Sequence, residues 1–114
     1  MSHYEQLTIY VGESDQWHGK PVYLAIVEVA QQQGLAGATV LRGVAGFGTR
    51  QNHAIHTAKI LELSSELPMV VIIIDRADAI GQFLPQVKEI VQHGMVIREV
   101  LNVVHHAPLN VDPA

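Results

Sequence analysis

Glycines at 43, 46 and 48 free the backbone along Arg42-Gly43-Val44-Ala45-Gly46-Phe47-Gly48-Thr49-Arg50, and an arginine stands at either end. Glycine reaches φ/ψ values closed to other residues and lets a backbone approach a ligand closely. Successive free N–H groups there could form a nest for an anion. The same spacing suits a bulged strand end followed by a turn, and spacing alone leaves the two readings level. Charge adds weight to the first. No acidic residue occurs between Glu28 and Glu62, whereas that window holds Arg42, Arg50, Lys59, His53 and His56. An acid-free segment in an acidic chain makes a local positive field, suited to a small anion or a negatively charged partner. Buried strands rarely carry acids, which explains part of the gap but not the loop.

A second group is Glu13-Ser14-Asp15-Gln16-Trp17-His18-Gly19-Lys20. Gly19-Lys20 before a helix start has something of a phosphate loop, where N–H groups and the helix dipole attract anions. The G-x-x-x-x-G-K-[ST] spacing is absent, however, and Pro21 removes one donor. A polar connection with Trp17 packed on a neighbour is the simpler reading. A third group, His53-x-x-His56, could hold a metal only on a helix. It reads as loop into strand, with no carboxylate nearby in sequence, so ligand-contact or loop histidines are expected rather than a metal site.

Enzyme chemistry finds little to use. Ser64-Ser65 lacks the glycines of a nucleophile elbow. Glu13 and Asp15 could act as an acid–base pair, but nothing supplies the opposing environments that would separate their pKa values. No catalytic residue is assigned, and a non-enzyme is expected.

These groups must be positioned by a regular scaffold, and its periodicities are visible. Leu7, Ile9 and Val11 alternate with Thr8 and Tyr10, predicting a strand with one buried face that Gly12 ends. Residues 13–20 form a polar loop, and Pro21 suits the first turn of a helix. Val22, Ile26, Val29 and Ala30 follow at helical spacing, with Gly34 as the stop. Ala38 to Val44 predicts a second strand, and Thr49 to Asn52 a loop. His56 to Leu63 alternates as an additional strand. Leu67-Pro68 opens an apolar run, Met69 to Ile74, expected to be the central strand covered on both faces. A hydrophobic cofactor slot there is set aside in favour of core. Asp75 or Asp78 can cap a helix that buries Ile80, Phe83, Leu84, Val87, Ile90 and Val91. Pro85 should kink that helix. Gly94 stops it, Val96 to Val104 makes the last strand, and the tail from His105 frays. The order is that of an α/β (α+β) ferredoxin-like βαββαβ fold with an extra strand stemming from a long loop.

With 114 residues there is room for one domain, placed at 1–104, with 105–114 as tail. Apolar residues are 48% and charged ones 16%, a low surface charge that points to self-association. The formal net charge of −4 argues against nucleic-acid binding. There is no cysteine, hence no disulfide, thiolate metal site or cysteine nucleophile. No signal peptide is read, and the longest apolar run is too short to span a bilayer, so a cytoplasmic location is expected.

Gly37-Ala38-Thr39-Val40, Gly46-Phe47-Gly48 and Leu67-Pro68 heading an apolar strand resemble the PII signal proteins. A closer resemblance rests on Gly12-Glu13-Ser14-Asp15, Trp17-His18-Gly19-Lys20-Pro21, Gly34 through Gly43, Gly46-Phe47-Gly48, His56-Thr57-Ala58 and Glu66-Leu67-Pro68. Those motifs, in order from residue 4 to about 104, resemble the PII-like family called domain of unknown function 190.

The resemblance implies a homotrimer, ligand clefts between subunits, and a mobile loop after the second strand. It implies an adenine nucleotide, such as AMP or ADP, or another small anion as effector, and a transporter or enzyme as regulated partner. Some members resemble companions of a membrane fluoride exporter, so a ligand-independent adaptor is the alternative. A metal-tolerance protein using Glu13, Asp15 and His18 is a further one. Departures from the PII pattern narrow the ligand. Gln92-His93-Gly94-Met95 stands where a phosphate-wrapping loop is expected, Met69 replaces a lysine, and Arg50 replaces a glutamine. Arg42-Gly43 includes one residue more than the pattern. The candidate contacts are therefore Arg42, Gly43, Gly46, Phe47, Gly48, Arg50 and His56, with Lys20, Arg98, Glu13, Trp17 and His18 beside them.

Overall fold

A computed structural model describes residues 3–47 and 67–107. The expected strand at 56–63 and the loop at 49–52 lie outside them. In chain order the elements are β1 (Tyr4–Gly12), β2 (Gln16–Trp17), β3 (Lys20–Pro21), α1 (Val22–Gln32), β4 (Thr39–Arg42), β5 (Pro68–Arg76), α2 (Ala77–Ile90) and β6 (Met95–Leu101). Four strands form one sheet in the order β4-β5-β1-β6, all neighbours antiparallel. With the small β2–β3 ribbon set apart, this is the ferredoxin-like order.

Register explains the core. Leu7 stands opposite Ile73, Ile9 opposite Val71 and Val11 opposite Met69, and all six are buried. Cross-strand partners point to the same face, so these six make one apolar layer. Val22, Ala25, Ile26 and Ala30 of α1 and Ile80, Phe83, Val87 and Ile90 of α2 complete the cluster. Val29, Leu84 and Val91, expected inside, are half-buried and pack on its margin.

β5 corrects one expectation. It is central, but the described helices cover one face only: Met69, Val71 and Ile73 are buried, Val70 and Ile72 half-buried, and Ile74 exposed. The continuous apolar run arises because the second face is apolar too. Around Val70 and Ile72 that face carries Tyr10, Leu41, Ile74 and Met95, each 40–50% exposed.

Boundaries shift for local reasons. β4 is shorter than 38–44 because Gly43, its N–H bonded to the Pro68 carbonyl at 2.8 Å, lies at the very start of β5. β6 ends at Leu101, not Val104, because its partner Tyr4 is the first residue of β1. Pro21 precedes α1 as its N-cap, with ψ of 138°, since Lys20–Pro21 is paired with Gln16–Trp17. That pairing also corrects the plain loop expected over 13–20. Its two-residue turn, His18 at φ 50° and Gly19 at φ 82°, has the left-handed pair that hairpin twist favours.

Gly34 ends α1 as expected. Its N–H donates to the Gln31 carbonyl at 3.1 Å and Leu35 N–H to that of Ala30 at 3.1 Å, a Schellman closure with Leu35 folded onto the core. At α2 the N-cap is Arg76 and no side chain caps it. Asp75 instead accepts Ala36 N–H at 2.9 Å and Arg76 N–H at 2.7 Å, and Asp78 lies in the first turn. Pro85 sits inside α2, which continues through it to Ile90. The first residues of the tail remain near the sheet, where the His106 ring meets Tyr4 edge-on at 6.2 Å between centroids.

Candidate functional site

At one end of the sheet β1 finishes, β4 finishes and β5 begins, so Gly12, Glu13, Arg42, Gly43, Leu67 and Pro68 converge. The exit from β1 is built by Asp15. Its carboxylate accepts Gly12 N–H at 2.9 Å, its own N–H donates to the Gly12 carbonyl at 3.1 Å, and its carbonyl accepts Val22 N–H at 2.9 Å. Asp15 is buried and serves the backbone, tying β1 to the start of α1. Two residues before Asp15, Glu13 donates its N–H to the Leu67 carbonyl at 2.9 Å, extending the β1–β5 seam past the last ladder pair.

The glycine segment is organised by Pro68. A Cβ at Gly43 would stand 2.7 Å from Pro68 Cγ, and one at Gly46 3.3 Å from the same atom. Gly43 is therefore required by a close approach rather than by its dihedrals, and the proline ring occupies the space a side chain would need. Val44 and Phe47 flank this turn and project outward, 89% and 82% exposed.

Arg42 closes the group, its Nη2 donating to Glu13 Oε1 at 3.1 Å. The stretch empty of acids in sequence thus has an acid beside it in space. The other described cations expected to meet an anion are also engaged. Lys20 Nζ lies 2.6 Å from Glu28 Oε1, along α1. Arg98 donates to Glu5 Oε1 at 2.5 Å and to the Ala77 carbonyl at 3.4 Å, on the β1–β6 side and away from the glycine turn. Trp17 packs on the core, its indole stacked on the His18 ring at 4.0 Å. Structure therefore brings Glu13, Arg42, Gly43 and Gly46 together with Phe47 at the rim, and leaves Lys20 and Arg98 elsewhere. Gly48, Arg50, His53 and His56 lie outside the described residues.

Sequence reasoning missed the organising part of Leu67-Pro68 and of Asp15. The first was visible as a motif but not as the partner of Gly43. Among the described residues no group of three or more His, Asp or Glu could hold a metal ion. No helix among them is long and apolar enough to cross a membrane.

Residues 4–103 match the family described as "Uncharacterized ACR", domain of unknown function 190. The chain belongs to this family. It is a family of the PII-like superfamily, and the sheet order and paired helices agree with that fold. A UPF0166 protein of Aquifex aeolicus is 37% identical over 99 residues, covering 87% of this chain and 91% of the relative. A UPF0166 protein of Methanocaldococcus jannaschii is 32% identical over 92 residues, covering 80% and 82%.

Proposed function

We propose that this protein is a PII-like regulator: a trimer that binds a small anionic metabolite, such as AMP or ADP, beside the glycine turn and thereby changes its affinity for a transporter or enzyme. The observation that carries the reading is the convergence of Arg42, Gly43 and Glu13 on Leu67-Pro68 at this end of the sheet. A half-exposed guanidinium beside this glycine turn offers a charge and N–H donors to an anionic ligand. Membership of a PII-like family and the apolar outer face of the sheet support a subunit-bounded cleft.

Calorimetric titration and thermal melts with AMP, ADP, phosphate, bicarbonate and fluoride test this. A ligand that binds only the folded protein adds about 2.7 kcal/mol of stability at a hundredfold excess over Kd and so raises its melting temperature. The expected outcome is a concentration-dependent rise with at least one anion, reduced by Arg42→Gln. Flat titrations across the panel at millimolar ligand would end the reading.

A further inference from the structure

We infer that Glu13 sets the anion selectivity of this end of the sheet by holding Arg42 in an internal ion pair, so that an incoming anion must take the guanidinium from it. The inference rests on the proposed reading of the Arg42 site and adds the residue that regulates it.

The two partners are not held alike. The Glu13 side chain is 23% exposed, and its backbone N–H is bonded to the Leu67 carbonyl, two residues from the buried Asp15 that fixes the β1 exit. Arg42 is the last residue of β4, its side chain 53% exposed and, among the described residues, bonded to Glu13 Oε1. The carboxylate is therefore the fixed member and the guanidinium the one that can turn outward. An anion approaching Arg42 meets two obstacles: repulsion from a carboxylate near the same nitrogen, and loss of the existing ion pair. Both bear hardest on ligands that bring only negative charge. A ligand carrying hydroxyl or amino donors beside its anionic group can satisfy Glu13 while it takes Arg42. That makes phosphorylated or carboxylated metabolites with such donors the favoured class over bare inorganic anions.

The ion pair faces solvent, so its removal should act as a modest factor, not as a switch. Glu13→Gln keeps the length of the side chain and the backbone bond to Leu67. Calorimetric titration of the full chain with inorganic phosphate and with AMP should show tighter binding in Glu13→Gln. For inorganic phosphate the gain should be about two- to fivefold, the factor an exposed pair can impose, and it should be smaller for AMP. Glu99→Gln removes the same charge from β6, at the opposite edge of the sheet from β4, and should leave both affinities unchanged. In an Arg42→Gln background the Glu13→Gln gain should vanish. Equal binding by wild type and Glu13→Gln overturns the inference alone. So does an equal gain in Glu99→Gln, or a gain that survives loss of Arg42. Silence from both probes in every protein overturns the inference, and silence across the whole anion panel overturns the proposed site with it.

Discussion

Gly94 holds φ at 150°, and a Cβ added there would overlap the Tyr10 carbonyl oxygen and press on Val11. The turn from α2 into β6 therefore runs directly against the backbone of β1, which is why it can be so short. Alanine at this position combines a disfavoured dihedral with a clash against backbone, and backbone cannot rotate away. Gly94→Ala should cost on the order of 2–4 kcal/mol in urea unfolding, since strain and overpacking each contribute 1–3. A loss under 1 kcal/mol would mean that the turn can move off β1. The same residue shows why Gln92-His93-Gly94-Met95 is a compact connection: its glycine is committed to packing on Tyr10.

At the scale of elements, the start of α2 depends on charge more than on a cap. Arg76 donates from Nη2 to Asp78 at 2.9 Å, and the hydrogen bond holds the Asp78 carboxyl below the ordinary aspartate range, with the guanidinium charge adding to the effect. An acid in the first turn also favours the helix dipole. A depressed folded pKa contributes stability that is present above the unfolded pKa and lost as pH falls through the folded one. Wild type should therefore exceed Asp78→Asn in stability near neutral pH, and the two should converge on acidification below the ordinary aspartate range. A gap that persists in acid would refute the assignment. The elements themselves were largely legible. Leu7-Ile9-Val11 shows a period of two, Val22-Ile26-Ala30 and Ile80-Phe83-Val87 show helical spacing, and their burial follows. The β2–β3 ribbon was not, because two-residue strands leave no periodicity to read. Of the candidate site, the glycine pattern and Arg42 were visible. The Glu13 partner lies 29 residues away along the chain, and no local signal joins the two. The one-sided cover of β5 was hidden as well, since a run apolar on both faces reads the same whether a helix or another subunit covers the second.

That second face bears on the whole molecule. Both described helices pack on the Leu7–Ile73 face, so Tyr10, Leu41, Ile74 and Met95 surround Val70 and Ile72 on a sheet surface with no helix over it among the described residues. Contiguous apolar surface of this kind on a small domain marks an interaction site. Closed symmetry is the usual outcome when copies of one chain supply the cover, and three sheets turned inward would bury the face on every copy. Ile72 stands at its centre, opposite Thr8 on one side and Thr39 on the other. A carboxylate there would be desolvated in any assembly through this face, yet half-exposed in an isolated chain. Ile72→Glu should therefore convert a trimer in analytical ultracentrifugation to monomer while its far-ultraviolet circular dichroism stays native. Leu24→Glu, on an exposed residue of α1 against the other face, should leave the trimer intact. Should Ile72→Glu still sediment as wild type, the sheet face is not the interface, and the proposed cleft beside Arg42 would lose the subunit meant to bound it.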